Sequence, residues 1–330
     1  MSNQTASIIS KSICKKKTYN ILTFNTHERY QTQLSKTQHN FYAFNSQGMK
    51  RWLTEHAPVP DRYYNLPDDC IYTGLGFDFI LAQSKFGQIQ AAYKINQILK
   101  LPIVALEHTL PVKEWPYDQL SQMKQLVGDI NVYISKYSAD EWGLPQENRN
   151  VIYHSIDADL FKPDEGIVKK RQILSVVHNF VDRDYCCNYS GWQRITKDLP
   201  TRVVGDTPGL SKAADSVEQL VREYQESTVF LNTSTLSPVP MALLEAMSCG
   251  CAVVSTATCM IPEIIEDGVN GFISNDEEQL KTHIQWLLDH PDTAVSMGKN
   301  ARQTILDKFS EEQFINNWNN IFDKAYGAKK

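Results

Sequence analysis

The sequence predicts an α/β protein of two Rossmann-like, doubly wound domains that face a central cleft. Short apolar segments alternate with amphipathic helical segments, and the alternation restarts after a polar linker at residues 162–170. Apolar strands that alternate with helices form parallel sheets covered on both faces. A chain of 330 residues is long enough for two such domains.

In the first half of the chain, apolar runs predict strands at residues 21–24, 78–82, 103–106, 130–135 and 151–153. Residues 85–99 carry isoleucine and alanine at helical spacing, which predicts an amphipathic helix. Ser138 follows the fourth strand and is the predicted cap of the next helix. These elements give the first doubly wound domain.

In the second half, apolar runs predict strands at residues 172–177, 202–205, 229–232 and 252–255. Residues 277–289 and 311–326 have the apolar spacing of helices, and the second of these forms a long final helix. Ligands of doubly wound sheets bind at the carboxyl ends of the strands. Loops that follow the strands are therefore where site residues are expected.

The composition of the chain excludes several classes of protein and several kinds of site. The net charge of −5 argues against a protein that binds nucleic acid or an anionic membrane surface, because such proteins are usually basic. The seven cysteines have no C-x-x-C spacing, so no zinc or redox motif is indicated, and a reduced, cytoplasmic setting fits best. No apolar run approaches the ~18 residues of a membrane span. No dedicated metal site is expected, although Asp182 and Asp184 give a D-x-D letter pattern of weak specificity.

The stretch SPVPMALLEAMSCGCAVVSTATCMIPEIIEDGVNGF, residues 237–272, resembles the donor-binding core of retaining glycosyltransferases of the GT-B fold, family 4. Residues 151–163 and the final helix are similar to two further segments of that family. The resemblance implies an acceptor-side domain at residues 1–165, with the helix 311–330 packing back on it. It implies a nucleotide-sugar-binding domain at residues 166–310.

The resemblance also implies a donor site. Glu245 would accept hydrogen bonds from the ribose hydroxyls of a UDP-, GDP- or ADP-sugar. With Pro240 as the first helical residue, the helix start directs N–H groups and a partial positive charge at the loop 237–240, where a diphosphate would lie. Val239, Met241 and Leu244 complete the predicted donor contacts. Read locally, Glu245 could instead pair with a neighbouring lysine or arginine.

Three residues are candidates for the chemistry. Arg183 is the best remaining cation for the diphosphate, although it could instead pair with Asp182 or Asp184. His108 follows a strand, and in related enzymes a histidine on this loop lies near the sugar; a capping role is the alternative. Ser237 stands where the family has a glutamate near the donor sugar, and it can still offer a hydroxyl.

A second departure lies before Pro262. The family has two glycines there, and this chain has Cys259 and Met260. We therefore expect that the tight glycine turn is not available at this point.

His27, Glu28 and Arg29 follow the first strand and are the predicted acceptor-side residues. The alternative for this group is an ordinary ion pair between Glu28 and Arg29. A hydroxyl acceptor is expected, either a glycan, a lipid-linked glycan or, less favoured, modified DNA.

The sequence thus predicts a metal-independent glycosyltransferase that needs no cofactor beyond its nucleotide-sugar donor and retains the anomeric configuration. Two alternatives stay open. One is a viral-type DNA glycosyltransferase that acts on hydroxymethylated bases, which would require a basic track and base flipping. The other is a catalytically degenerate protein that binds a nucleotide sugar without turnover.

Overall fold

The computed structural model describes residues 17–111 and 114–329. Contacts among these residues form two compact units: residues 17–106, 126–131 and 318–329 in the first, and residues 107–111, 114–125 and 132–317 in the second. The predicted domain boundary at residues 165 and 166 stays a prediction.

The first part of the chain alternates strands and helices. Its elements are β1 (Asn20–Phe24), α1 (Glu28–Ser35), β2 (Asn40–Asn45), β3 (Tyr63–Asp68), β4 (Phe79–Ala82), α2 (Gln88–Leu99), β5 (Ile103–Glu107), α3 (Tyr117–Lys124), β6 (Ile130–Tyr133), α4 (Lys136–Trp142) and β7 (Arg149–Val151). The seven strands form one sheet in the order β3-β2-β1-β4-β5-β6-β7. β1 is parallel to both neighbours, with Ile21 opposite Phe41 and Phe79.

The second part repeats the alternation. Its elements are β8 (Lys170–Val176), α5 (Asp184–Cys187), α6 (Tyr189–Ile195), β9 (Thr201–Val204), α7 (Val217–Glu226), β10 (Ser227–Asn232), α8 (Met241–Ser248), β11 (Ala252–Ser255), α9 (Ile261–Ile264), β12 (Phe272–Ile273), α10 (Glu277–Asp289), α11 (Pro291–Lys308) and α12 (Glu311–Gly327). Five parallel strands lie in the order β12-β11-β10-β8-β9.

The five-stranded sheet is buried on both faces because neighbouring strand residues point to opposite sides. Val229 and Leu231 of β10 pack in a cluster with Ile284 of α10. Phe230, between them, packs in the other cluster with Leu244 of α8. Helices therefore cover both faces, and the predicted doubly wound α/β class is confirmed.

The end of α12 packs in the first unit. Trp318 and Phe322 are fully buried, and the Phe322 ring contacts the rings of Phe41 and Phe79 at centroid distances of 6.3 and 5.3 Å. The Trp318 indole N–H donates to the Tyr30 hydroxyl at 3.0 Å. The last residues of the chain thus complete a core that residues 17–106 begin.

The N-cap of α4 lies three residues before the predicted one. Ser135, and not Ser138, is the N-cap, because its hydroxyl accepts the Ser138 N–H at 2.9 Å. Ser135 has the extended backbone that an N-cap requires, whereas Ser138 lies inside the first turn.

Candidate functional site

The loop between β10 and α8 contains the predicted phosphate-binding residues. Pro240 is buried, and Ser237 and Val239 are half-buried. α8 begins at Met241, one residue later than predicted, with Pro240 as its N-cap. The Met241 N–H donates to the Val239 carbonyl at 3.0 Å. In this structure the Met241 N–H is therefore already engaged inside the loop.

Glu245 lies on α8 and is half-buried between fully buried neighbours. Its Oε2 accepts a hydrogen bond from the Tyr224 hydroxyl at 2.8 Å. Burial first, and the negative charge of Glu245 second, raise the pKa of Tyr224 well above its usual value. The carboxylate therefore has a tyrosine hydroxyl as a partner. Leu244 is fully buried in the core of the same unit.

Backbone hydrogen bonds join this loop to the short helix that follows Arg183. The N–H groups of Thr235 and Leu236 donate to the Cys186 carbonyl at 2.9 and 3.2 Å. The Thr233 hydroxyl donates to the Cys187 carbonyl at 2.8 Å. Arg183 is the N-cap of this helix. The fold thus brings the Arg183 segment and the Ser237 segment together, although they are far apart in sequence.

The Arg183 side chain is exposed. Asp184, its predicted alternative partner, instead accepts the N–H and the hydroxyl of Ser190 at 2.7 and 2.8 Å. These two bonds lower the pKa of Asp184. Among residues 17–111 and 114–329, no carboxylate lies within 4.0 Å of the Arg183 guanidinium.

The turn that follows β11 corrects one expectation. Cys259 adopts φ of 49°, in the left-handed region that favours glycine. The hydroxyls of Thr256 and Thr258 both donate to the Ser234 carbonyl, at 2.6 and 2.7 Å. The tight turn is therefore formed without glycine, and its hydrogen bonds hold it beside the loop after β10.

Glu263 has a role that sequence reasoning missed. It accepts the backbone N–H groups of Lys136 and Tyr137 at 3.0 and 2.6 Å, at the start of α4. It also accepts the Tyr153 hydroxyl at 3.0 Å. A carboxylate at a helix N-terminus is stabilised by the free N–H groups and the helix dipole. Glu263 lies in the stretch 237–272 that resembles the family, but its partners are distant in sequence and left no local signal.

Two further residues of the same stretch shape a turn. Asn270 is buried, and its side chain donates to the Ile264 carbonyl at 3.1 Å and to Thr304 Oγ1 at 2.8 Å. A Cβ on Gly271 would lie 2.6 Å from Val253 Cγ2, closer than packing permits. This part of the motif therefore contributes hydrogen bonds and close packing within the fold.

His108 follows β5 and is 8% exposed. Its ring lies perpendicular to that of His154, with centroids 6.2 Å apart. Glu107, the residue before it, accepts the N–H and hydroxyl of Thr109 at 2.9 and 2.7 Å, which orders the loop. His108 belongs to the same compact unit as Glu245 and Arg183.

Glu28 is the first residue of α1 and is 4% exposed. It accepts hydrogen bonds from Lys50 Nζ at 2.8 Å and from the Leu53 N–H at 3.2 Å, and His56 Nδ1 lies 3.4 Å away. Burial acts to raise the pKa of Glu28, but these donors, Lys50 first, hold the pKa below its usual value.

The predicted alternative, a pair between Glu28 and Arg29, is therefore wrong, because the partners come from the loop that follows β2. His27 and Arg29 are exposed on either side of Glu28. Lys50 lies 22 residues from Glu28, so no local pattern could have identified it.

A surface cavity of about 250 Å³ lies beside Tyr153 and His154, with Lys308, Gln313 and Phe314 on its other walls. None of the predicted site residues lines it. Within the described residues, no three His, Cys, Asp or Glu side chains cluster as metal ligands. No helix there is long and apolar enough to cross a membrane.

Comparisons with known proteins agree with one another. The sequence model of a family described as Glycosyl transferases group 1 matches residues 212–304, which include Glu245 and Glu263. Alpha-maltose-1-phosphate synthase of Mycolicibacterium smegmatis is 34% identical over 279 residues, 67% of this chain and 72% of that protein. N-acetyl-alpha-D-glucosaminyl L-malate synthase of Bacillus anthracis is 25% identical over 191 residues, and the match spans 52% of this chain and half of that enzyme.

Several solved structures resemble this chain in their fold. Anabaena HepE in complex with UDP superimposes with a TM-score of 0.74 and 15% identity, over 93% of this chain and 100% of that one. The same protein in complex with UDP-glucose gives a TM-score of 0.70. These likenesses show the GT-B fold.

Proposed function

The chain belongs to the group 1 glycosyltransferases of the GT-B fold, and from that premise we propose that it transfers a sugar from a nucleoside-diphosphate sugar to a hydroxyl acceptor. The observation that carries the proposal is the Glu245 carboxylate, held by Tyr224 on the helix that follows the loop 237–240. Glu245 lies inside the segment that matches the family. The complexes of HepE with UDP and UDP-glucose support a donor of this class.

In the proposed donor site, Glu245 accepts the ribose hydroxyls, because an ionised carboxylate accepts up to four hydrogen bonds and Tyr224 supplies one. The diphosphate lies against the loop of Ser237, Val239 and Pro240. The exposed guanidinium of Arg183 neutralises it, since a guanidinium matches phosphate oxygens with two parallel donors. Met241 and Leu244 hold this loop through the start of α8.

We propose that the reaction retains the anomeric configuration and belongs to family 4. The sugar–phosphate bond breaks, and the leaving diphosphate is stabilised by Arg183 and by the partial positive charge at the start of α8. The acceptor hydroxyl attacks the same face and gives its proton to the leaving phosphate. In this scheme His108 hydrogen-bonds the sugar. No metal ion is needed in this scheme. The cysteines have no C-x-x-C spacing, which suits a cytoplasmic setting.

The acceptor is proposed to be a glycan or lipid-linked glycan, with His27 and Arg29 presented to it and Glu28 holding their loop. The two relatives named above are, by their names, synthases of alpha-maltose-1-phosphate and of N-acetyl-alpha-D-glucosaminyl L-malate, and neither name supports the DNA-directed alternative. The departure at Ser237 leaves the degenerate, binding-only alternative as an outcome of the test below.

The test is a thermal-shift and hydrolysis panel of UDP-, GDP- and ADP-sugars on wild type and Glu245→Ala. One donor should raise the melting temperature of wild type, because ligand at 100 times Kd adds about 2.7 kcal/mol of stability. Glu245→Ala should weaken that donor roughly 10- to 100-fold, through loss of charge-assisted bonds. Glu223→Ala, which removes a helical glutamate paired with Arg202, is the matched control.

Each outcome is informative. Donor hydrolysis alongside the shift supports the transferase. A shift without turnover, with or without candidate acceptors, supports the binding-only alternative. If no nucleotide sugar stabilises wild type, the proposed function is wrong. Retention is tested by NMR of the first sugar released from an α-linked donor: retention gives the α-anomer, and activity that survives EDTA supports a metal-free reaction.

A further inference from the structure

Tyr224 is a fully buried residue whose hydroxyl points at the proposed ribose acceptor. It lies near the end of α7, and its ring packs with those of Phe161 and Phe230 at centroid distances of 6.2 and 5.9 Å. The Tyr224 carbonyl accepts the Cys251 thiol at 3.0 Å. The ring and the backbone are therefore both fixed by the core, so the hydroxyl has one well-defined position.

The hydroxyl donates to Glu245 Oε2 at 2.8 Å. Because the surroundings disfavour loss of the phenol proton, this group stays a donor and the carboxylate stays the acceptor. A hydrogen bond to an ionised group is about twice as strong as a neutral one, and it is directional. Tyr224 thus helps to set the rotation of the Glu245 carboxylate about its side-chain bonds.

We propose that Tyr224 is a positioning residue that orients Glu245 toward the ribose hydroxyls and so sets the preference for ribonucleotides. This inference rests on the proposed function, since it requires Glu245 to contact the ribose. Beyond the proposed function, it identifies Tyr224 as the residue that orients the Glu245 carboxylate. Ribose recognition needs one carboxylate to meet two neighbouring hydroxyls at once, and a rotated carboxylate can meet only one of them.

The experiment compares the binding of UDP and 2′,3′-dideoxy-UDP by calorimetry in wild type and Tyr224→Phe, which removes one oxygen atom. Wild type should bind UDP roughly tenfold or more tightly than the dideoxy analogue, because the analogue lacks the ribose hydroxyls that donate to the charged carboxylate. In Tyr224→Phe the preference should fall by about fivefold or more, while the affinity for the dideoxy analogue stays unchanged. Tyr30→Phe, which removes another buried hydroxyl, is the matched control and should leave the preference as in wild type.

A merely structural Tyr224 would lower the melting temperature without changing the ratio of the two affinities. An unchanged ratio in Tyr224→Phe, with wild type still discriminating, overturns the inference and leaves the proposed function standing. If wild type fails to bind UDP and also GDP and ADP, the proposed function fails, and the inference fails with it. If Glu245→Ala discriminates as wild type does, Glu245 does not contact the ribose, which overturns the inference and leaves sugar transfer standing.

A second measurement covers the case in which Tyr224→Phe does not fold. In a crystal structure of wild type with the bound nucleoside diphosphate, the Glu245 carboxylate should contact the Tyr224 hydroxyl and the ribose hydroxyls together. A complex in which the ribose is held and the bond between Tyr224 and Glu245 is broken overturns the inference.

Discussion

Cys259 adopts a backbone conformation that disfavours any residue with a side chain. A left-handed φ of 49° places Cβ close to the following carbonyl, which costs roughly 1–2 kcal/mol for a non-glycine residue. The turn forms nevertheless, because the Ser234 carbonyl holds the two threonine hydroxyls on the same loop. The strain is therefore stored at a turn beside the proposed donor loop.

We predict that Cys259→Gly is more stable than Cys259→Ala by about 1 kcal/mol, because both lose the thiol and only glycine relieves the backbone. Urea unfolding of the two variants and wild type measures the difference. The alanine variant serves as the control for the lost side chain. Equal stabilities of the two variants would contradict the assignment of strain to this residue.

The lowered pKa of Glu28 predicts how the stability of the protein depends on pH. Its folded pKa lies below the unfolded value of 4.5. The unfolded chain therefore binds more protons in this window, and the stabilisation by Glu28 is fully present above pH 4.5 and is lost as the pH falls through the folded pKa. Glu28→Gln should be less stable than wild type near pH 7, and the two should converge in acid.

Unfolding by urea at a series of pH values from about 7 to about 3 checks this expectation. Glu55→Gln, an exposed carboxylate on the same loop as Lys50, is the control and should follow the wild-type curve. Parallel curves for Glu28→Gln and wild type would show that the ion pair with Lys50 contributes no differential proton binding.

At the scale of elements, α4 depends on a carboxylate from another part of the chain. Glu263 accepts two N–H groups at the start of α4 and the Tyr153 hydroxyl. Replacing it with alanine leaves three donors without this acceptor, so we predict that Glu263→Ala lowers the free energy of unfolding by about 2–3 kcal/mol. Glu266→Ala, an exposed neighbour, should change it by less than about 0.5 kcal/mol.

Hydrogen exchange of the amides in α4 gives the second readout for Glu263→Ala. Protection should fall in α4 more than in β10, because the lost contacts are at the helix start. Uniform loss across the unit would mean that Glu263 stabilises the fold as a whole and not this helix.

The strands that the sequence predicted are those with an apolar run, such as β4, β10 and β11. β2 and β3 were missed for physical reasons. In β2 the burial alternates, but Tyr42 and Phe44 place aromatic rings on the less buried side, so polarity does not alternate. β3 contains Pro67, which argues against a strand and is tolerated because β3 lies at the sheet edge.

The candidate site was less predictable than the sheets. The motif located Glu245 and Glu263, but their partners come from distant positions in the chain: Tyr224 for the first, and Lys136, Tyr137 and Tyr153 for the second. Lys50, the partner of Glu28, comes from a loop with no helical or strand spacing. Such pairs depend on tertiary packing, which periodicity along the chain does not encode.

At the scale of the whole molecule, each unit has its own buried core. The first unit is discontinuous in sequence, because it needs Trp318 and Phe322 from the far end of the chain. Contacts between residues so far apart in sequence cost loop-closure entropy. The stability of the first unit should therefore respond to changes in α12 that lie hundreds of residues from its strands.

We predict that Trp318→Ala destabilises the first unit by about 3–5 kcal/mol, because a fully buried indole leaves a cavity and the Tyr30 hydroxyl loses its donor. Hydrogen exchange should show lost protection in β1, β2 and β4, with β10 and β11 protected as in wild type. Trp286→Ala is the matched control, since that indole is 40% exposed. Equal loss in both units would mean that the two cores unfold as one cooperative block.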